Sequence, residues 1–252
     1  MFKKKYSIND IDSQNEKMDN SIRHAKAYDN ISQQIIKILL IIFLIFILSA
    51  LYEMFKFNAA GLNTVKYLDF DELRKTNPDI VGWIRIYDTH IDHPVVHGKD
   101  NFEYLDKDFY GNFYAGGTIF QDYKNKKDFS DPYNIIHGHH MAGGAMFGDL
   151  GKFNKPKFFD EHKEGELLTP KYDYDLKIIG VATVNAYNGK VYNVKVKTTD
   201  VPYNTLMNAA TFKRTYIKIG DAQLLTLTTC SGEMNDNRTV VFCKMINRGE
   251  HG

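Results

Sequence analysis

The chain has 252 residues, of which 43% are hydrophobic and 25% are charged, and its formal net charge is +1. This composition is ordinary for a globular protein of one or two domains, and the charge balance shows no nucleic-acid-binding footprint. The two cysteines, Cys230 and Cys243, do not indicate a disulfide-stapled scaffold, and we predict that Cys243 packs in a strand.

The N-terminal part predicts a tail followed by a membrane anchor. Residues 1–34 are polar with mixed charge and resemble a disordered or weakly helical tail. Residues 35–51 form an apolar run with one charge, Lys37, and as a helix these 17 residues span about 26 Å, roughly a bilayer core. A buried helix of a soluble domain is the alternative. No convincing cleavage site follows, so we predict an uncleaved transmembrane helix at 35–52.

The charges around this segment predict its orientation. Arg23 and Lys26 precede the apolar run and Lys37 lies near its beginning, and positive charge favours the cytoplasmic side of a membrane. We therefore predict a cytoplasmic N-terminus and an extracellular C-terminal domain. A linker at 53–66 leads to this single domain, at 67–252.

The domain predicts many short strands and few helices. A helix with an acidic start is predicted at 69–76, and two more are predicted at 143–153 and 202–216. The predicted strands, in chain order, are 81–86, 91–96, 116–121, 133–137, 166–169, 174–186, 191–198, 224–229 and 239–242. This pattern is typical of a mainly β fold, and we predict a closed or nearly closed β-barrel.

A candidate nucleophile lies between the last two predicted strands. Cys230 ends one of them and Arg238 begins the next. A nearby guanidinium favours a thiolate, and its donors can also hold an oxyanion. We therefore predict that Cys230 is a nucleophile and that Arg238 is its cationic partner, with simple packing of the thiol as the alternative.

The histidines supply a candidate base. Of the nine, the concentrated group lies in I-I-H-G-H-H-M at 135–141, where Gly138 predicts a sharp turn and His139 follows at the strand end. His139 is the predicted acid/base, and its two neighbouring histidines are expected to point elsewhere. A zinc site built from these histidines and Cys230 is the rival interpretation, but H-x-H-H is not a strong zinc spacing. We predict no metal and no other cofactor.

These motifs together resemble a sortase, and within that family most closely class B. The T-L-T-T-C at 226–230 followed by Arg238 is similar to the family's nucleophile signature, and His139 lies where the family has its catalytic histidine. The resemblance covers about 69–246 and is highly specific as a set. Its further motifs are N-P-D-I-V-G-W-I-R-I at 77–86, I-D-H-P-V-V at 91–96, A-G-G-T-I-F-Q-D-Y at 115–123 and N-I-I-H-G-H-H-M at 134–141.

The resemblance implies an eight-stranded sortase barrel with a few peripheral helices, in a membrane-bound transpeptidase of Gram-positive bacteria. Such an enzyme cleaves a C-terminal sorting signal, of the N-P-x-T-N or S-P-x-T-G kind, after its threonine. A thioacyl intermediate forms, and an amine of peptidoglycan or of its lipid-linked precursor resolves it, which attaches the surface protein to the cell wall. The implied roles are nucleophile for Cys230, acid/base for His139, oxyanion or substrate clamp for Arg238, and substrate-groove lining for Thr228.

Two other functions fit the same pattern. A hydrolytic cysteine peptidase would resolve the acyl-enzyme with water, and a non-catalytic anchored barrel would bind a peptide without a reactive thiol. Departures from the class B pattern are His137, where tyrosine is frequent, His140, where asparagine is common, and a somewhat short spacing between Cys230 and Arg238. Asp236 is the candidate to orient the acid/base histidine.

Overall fold

The computed structural model describes residues 33–49, 68–230 and 236–250. The first of these segments is a helix, α1 (33–49), and the chain from Leu68 onward forms a separate compact unit. All residues of α1 are exposed. Within the described segments, no helix reaches the combined length and apolarity that spanning a membrane requires. Most of the predicted tail, the end of the predicted anchor and the predicted linker lie outside the described residues.

The unit from Leu68 onward is built around a closed β-barrel. Eight strands follow one another in the order β5-β1-β2-β3-β4-β8-β9-β6, and β5 pairs with β6 to close the ring. A ninth strand, β7, pairs with the same edge of β6, farther along that strand than the stretch paired with β5. The strands are β1 Ile80–Ile86, β2 Asp92–Val96, β3 Phe120–Gln121, β4 Tyr133–His139, β5 Glu164–Leu168, β6 Tyr172–Asn185, β7 Ala210–Lys213, β8 Leu224–Cys230 and β9 Asn237–Glu250. The predicted eight-stranded barrel is confirmed, with β7 as an addition.

Strand alternation divides the apolar residues between two large clusters. Leu225 and Leu227 of β8 belong to the larger cluster, which collects residues from most of the barrel strands. Leu224 belongs to the second cluster, together with Leu206 of a helix, α4 (Asp200–Ala209). Cys243 is fully buried in the larger cluster, which confirms its predicted packing role, and burial raises the pKa of its thiol to about 12. Both faces of β8 are therefore held by apolar contacts.

The helices agree with the sequence in part. The predicted helix at 69–76 is confirmed as α2 (Phe70–Thr76), whose N-cap Asp69 accepts hydrogen bonds from two backbone N–H groups of the first turn. The helix predicted at 143–153 is wrong, because Gly143 and Gly144 have positive φ and the segment forms two 3₁₀ helices, Ala142–Gly144 and Gly148–Asn154. A short helix, α3 (Pro156–Glu161), was not predicted.

Two further predictions are wrong. The helix predicted at 202–216 ends at Ala209, because Phe212 pairs with Val181 of β6 and draws the chain into β7. The strand predicted at 191–198 does not form. Its alternation reflects Tyr192, Val194 and Val196, which pack in the second cluster although the segment joins no ladder.

Gly138 has a different role from the predicted turn. The chain stays in β4 through Gly138, and this glycine is not among those with positive φ. What requires glycine is space, since an added Cβ would overlap Ile119 Cδ1 and lie 2.8 Å from Phe147 Cδ2. The backbone beside His139 is thus fitted closely to the barrel core.

We expect Gly138→Ala to lower the free energy of unfolding of the full chain by about 1–3 kcal/mol, because overpacking forces buried side chains to move. Urea denaturation followed by tryptophan fluorescence measures the change. Gly189→Ala is the matched control, since an added Cβ there meets nothing within 4 Å. Its effect should stay within about 0.5 kcal/mol. Equal stability of the two variants would contradict the packing explanation.

Candidate active site

The predicted base and nucleophile end two neighbouring strands at the same level. Strands β4 and β8 are parallel, and their register pairs Tyr133 with Leu224 at one end and His139 with Cys230 at the other. Adjacent strands lie about 4.8 Å apart, so the backbones of the last two residues are direct neighbours. Cys230 is described as the last residue of β8, and its side chain lies outside the description.

The predicted arginine continues this row onto the next strand. Strands β8 and β9 are antiparallel, and their ladder runs to the pair Thr228–Val240. Continuing that register by two residues places Cys230 opposite Arg238, near the start of β9. Residues paired across neighbouring strands belong to the same face of a sheet. The positions of His139, Cys230 and Arg238 therefore form one row on one face.

A backbone carbonyl orients the ring of His139. Its Nε2 lies 2.7 Å from the carbonyl oxygen of Leu105. Because a carbonyl oxygen only accepts, Nε2–H is the donor, and Nδ1 is the ring atom left to take up or release a proton. Gly117 leaves room for the Leu105 carbonyl, because an added Cβ at position 117 would lie 2.6 Å from the Leu105 oxygen. The φ of Gly117 is +58°, which also favours glycine. Sequence analysis missed Leu105, since a carbonyl acceptor leaves no signature in the side-chain type.

Asp236 does not take the role expected of it in the described structure. It is exposed, and its backbone oxygen accepts a hydrogen bond from the Ala186 N–H at 2.7 Å. Within the described segments, no hydrogen bond joins its carboxylate to His139. The orienting group found for the imidazole is the Leu105 carbonyl instead.

His137 lies on the same face as His139, contrary to the expectation that it points elsewhere. The two residues are alternate members of β4, so strand geometry gives them one face. His137 is buried, stacks on Phe120 with ring centroids 5.2 Å apart, and places Nε2 3.2 Å from Oδ2 of Asp122. Asp122 also accepts a hydrogen bond from the Asn101 side chain at 2.8 Å.

Thr228 is covered by a tyrosine that sequence analysis missed. Thr228 is buried two residues before Cys230, and its Oγ1 lies 3.1 Å from the hydroxyl of Tyr192. The Tyr192 segment is held in place because the Tyr133 hydroxyl donates to the carbonyl of Val191 at 2.8 Å. Thr228 and Tyr192 therefore form a polar contact on the face that carries the row.

The histidines of this region are not gathered as metal ligands in the described residues. His137 faces Asp122, whereas His139 faces a carbonyl oxygen. Across the side chains that the structure describes, in residues 33–49, 68–229 and 236–250, no three His, Cys, Asp or Glu groups are placed to hold a metal ion.

The fold and the row of positions define a β-barrel of the sortase type, and comparison with known proteins agrees. The model of the Sortase domain matches residues 84–246. Sortase B of Listeria monocytogenes is 31% identical over 181 residues, covering 70% of this chain and 74% of that protein. The chain belongs to the sortase family, whose members are cysteine transpeptidases.

Solved structures narrow the resemblance to class B. A class B sortase of Streptococcus pyogenes involved in pilus biogenesis is 32% identical with a TM-score of 0.65, covering 71% of this chain and 98% of that one. Sortase B of Clostridium perfringens is 30% identical with a TM-score of 0.65, covering 71% of this chain and 100% of that one. The predicted class B resemblance is confirmed.

The contact between Asp122 and His137 allows a prediction of how the free energy of unfolding changes with pH. Burial raises the pKa of Asp122, but the hydrogen bond and charge of His137, together with hydrogen bonds from the Lys124 N–H and the Asn101 side chain, lower it, and the net shift is downward. A carboxyl whose pKa is lower in the folded than in the unfolded chain stabilises the fold above its ordinary pKa of about 3.9. That contribution is lost as the pH falls through the folded pKa.

We therefore expect Asp122→Asn to lower the free energy of unfolding by about 1–3 kcal/mol at pH 7, with the difference from the native chain shrinking below about pH 4. Urea denaturation at a series of pH values measures it. Asp221→Asn, at an exposed position, is the control and should change little at any pH. A constant deficit across the series would argue against ionisation as the cause.

Proposed function

We propose that the chain is a membrane-anchored transpeptidase that cleaves a C-terminal sorting signal and attaches the surface protein to the cell wall. The signal is of the N-P-x-T-N or S-P-x-T-G kind, cut after its threonine, and the acceptor is an amine of peptidoglycan or of its lipid-linked precursor. The observation that carries the proposal is the row of positions His139, Cys230 and Arg238 on three adjacent strands.

Cys230 is the nucleophile of the first half-reaction. Its thiolate attacks the carbonyl carbon of the threonine, and the carbonyl oxygen becomes an oxyanion. Arg238 is always charged, so it favours the thiolate and holds the oxyanion with its fixed fork of donors. When the C–N bond breaks, protonated His139 gives a proton to the leaving amine, and a thioester remains.

The second half-reaction reverses these proton movements. The acceptor amine attacks the thioester carbon, and neutral His139 takes the proton that the amine loses. The C–S bond breaks, the thiolate leaves, and a new amide joins the surface protein to the acceptor. The hydrogen bond from Nε2 to the Leu105 carbonyl holds the ring, so Nδ1 is the atom that handles the proton in both halves.

The donor peptide is assigned to the face of Thr228. Thr228 lies two residues before Cys230, and Tyr192 covers it. Thr228 is buried, so the half-buried Tyr192 is the side chain that a peptide meets. Its hydroxyl can hydrogen-bond a peptide backbone, and its ring adds apolar area. Departures such as His137, which lies on this face, are then expected to tune the choice of sorting signal.

Membrane attachment is assigned to residues 35–52, with 1–34 in the cytoplasm and the catalytic domain, 67–252, outside the cell. Support comes from the apolar run itself and from α1, in which large apolar side chains from Ile35 to Leu48 are exposed. A helix that is apolar on every side is not stable when surrounded by water. The basic residues before the run favour a cytoplasmic N-terminus.

The chemistry predicts a covalent adduct on one of the two cysteines. Full-length chain in detergent, mixed with a sorting-signal peptide, should show by mass spectrometry an acyl group on Cys230, cut after the threonine. Cys243→Ala is the matched control and should keep the adduct, whereas Cys230→Ala should lose it together with all peptide cleavage. Cleavage that persists in Cys230→Ala would defeat the proposed mechanism.

Added amine separates the remaining alternatives. With a transpeptidase, an amine peptide should convert hydrolysis product into ligated product as its concentration rises. A hydrolytic peptidase gives hydrolysis product alone. A non-catalytic barrel gives neither, and its cysteine reacts with alkylating reagents no faster than an ordinary thiol.

The assigned location makes a separate prediction. In intact cells, the full chain should fractionate with membranes and resist extraction by salt or alkali, because an apolar helix inserts in lipid. Added protease should remove the catalytic domain from the outside of protoplasts. Replacing three apolar residues of 38–45 by lysine should release the chain from the membrane fraction. Protection of the domain from external protease would contradict the assigned orientation.

A further inference from the structure

An apolar pocket lies on the other side of His139 from Cys230. It has a volume of about 220 Å³ and is lined by residues of β2, by residues of the 99–118 loop, by Ile119 just before β3 and by Met146. Tyr110 and Tyr114 provide aromatic faces, and Asp108 is a charged lining residue. Pockets for drug-sized molecules exceed about 300 Å³, so this one suits a residue or two of a peptide.

Strand register connects this pocket to the row of candidate catalytic positions. The ladder of β3 and β4 pairs Phe120 with His137, and its continuation places Thr118 opposite His139. The parallel pairing of β2 with β3 continues in the same way to place Pro94 opposite Thr118. Thr118 and Pro94 both line the pocket. Position 230, His139 and the pocket thus follow one another across the barrel.

The loop that orients His139 also forms the pocket wall. Leu105 accepts the imidazole hydrogen bond, and the neighbouring Tyr104 carbonyl accepts one from the Thr118 N–H at 3.0 Å. Gly117, which packs against the Leu105 oxygen, lines the pocket itself. A molecule held in the pocket is therefore one layer of backbone away from the histidine that must deprotonate the acceptor.

The polar groups of His93 and Asp108, which line the pocket, are buried or already hydrogen-bonded. Burial lowers the pKa of His93, so its ring is neutral at pH 7, and it hydrogen-bonds the Met146 backbone. Its Nε2 is buried and has no hydrogen-bond partner in the described part of the chain. Asp108 already accepts hydrogen bonds from the Tyr110 and Asn112 backbone N–H groups and from the Asn112 side chain. The aromatic and apolar lining is therefore what a ligand meets, and it favours an apolar side chain.

The charge of the loop indicates which of the two substrates approaches this side of the barrel. Segment 99–118 contains Asp100, Glu103, Asp106 and Asp108 against Lys99 and Lys107. An acidic excess attracts an ammonium group and disfavours a peptide that ends in a carboxylate. The donor peptide is already assigned to the opposite flank, where Tyr192 covers Thr228.

We propose that this pocket is the subsite for the acceptor, and that it holds the peptide bearing the attacking amine at a residue a short distance from that amine. The inference rests on the proposed transpeptidation and names where its second substrate binds. Strands are spaced by about 4.8 Å, so the pocket lies roughly 10–15 Å from position 230. An extended peptide covers that distance in roughly three to four residues.

The test compares acceptors of different length on the full chain in detergent. A sorting-signal peptide forms the acyl-enzyme, and the acceptors are glycinamide and the tetrapeptide amide Gly-Gly-Gly-Leu. We expect the KM for the tetrapeptide to be about tenfold lower than that for glycinamide, because its leucine reaches the pocket. Tyr110→Ala should raise the tetrapeptide KM about five- to tenfold and leave the glycinamide KM unchanged.

Phe113→Ala is the matched control. Phe113 is 82% exposed and Tyr110 is 73% exposed on the same loop, but only Tyr110 is among the residues that line the pocket. The control should therefore keep both KM values. Equal KM values for the two acceptors, a Tyr110→Ala variant indistinguishable from Phe113→Ala, or an effect confined to the KM of the sorting peptide would each overturn the assignment.

Hydroxylamine separates this proposal from the one it rests on. It is small enough to resolve a thioester without a subsite, so its capture of the acyl group reports the first half-reaction alone. Absence of capture in the native chain overturns the transpeptidation and the subsite together. Normal capture with no preference for the longer amine overturns the subsite only.

Discussion

The parallel pairing of β4 with β8 is the constraint on which the rest of the site depends. Seven residue pairs, from Tyr133–Leu224 to His139–Cys230, set the two strands level, so that both end at the same rim of the barrel. A slip of one residue would move His139 or Cys230 to the other face, because side chains alternate along a strand. Apolar contacts on both faces of β8 make such a slip costly. The chemistry is therefore aligned by the barrel core and not by the loops.

The supporting contacts reach the site from two different directions. On one side, the 99–118 loop brings the Leu105 carbonyl to the imidazole of His139. On the other, the segment before α4 brings Tyr192 to Thr228. Each contact comes from a chain segment without regular secondary structure, whereas the row itself lies on strands. This division suits a transpeptidase, which must keep its reacting groups rigid and still admit a donor and an acceptor.

Much of this arrangement could be predicted from the sequence, and the rest could not for identifiable reasons. Cys230 and Arg238 were recognisable because a strand pattern ends and begins at them, and His139 because it follows a strand. Gly138 was recognised as important but for the wrong reason, since the contacts of an absent Cβ depend on distant residues. The failed strand at 191–198 has strand-like alternation, yet alternation does not say whether a neighbouring strand is present to pair with.

The shortness of β3 has a consequence for how the barrel moves. β3 has two residues, and it contributes one pair to β2 and two to β4, whereas β6 and β9 share twelve. A barrel opens first where the fewest hydrogen bonds join neighbouring strands, because fewer bonds must break there. Amide protons flanking Phe120 should thus exchange with solvent sooner than those of the paired strands β6 and β9. Local opening at β3 would loosen the barrel rim next to His139, whereas β8, which carries Cys230, would stay paired with its neighbours.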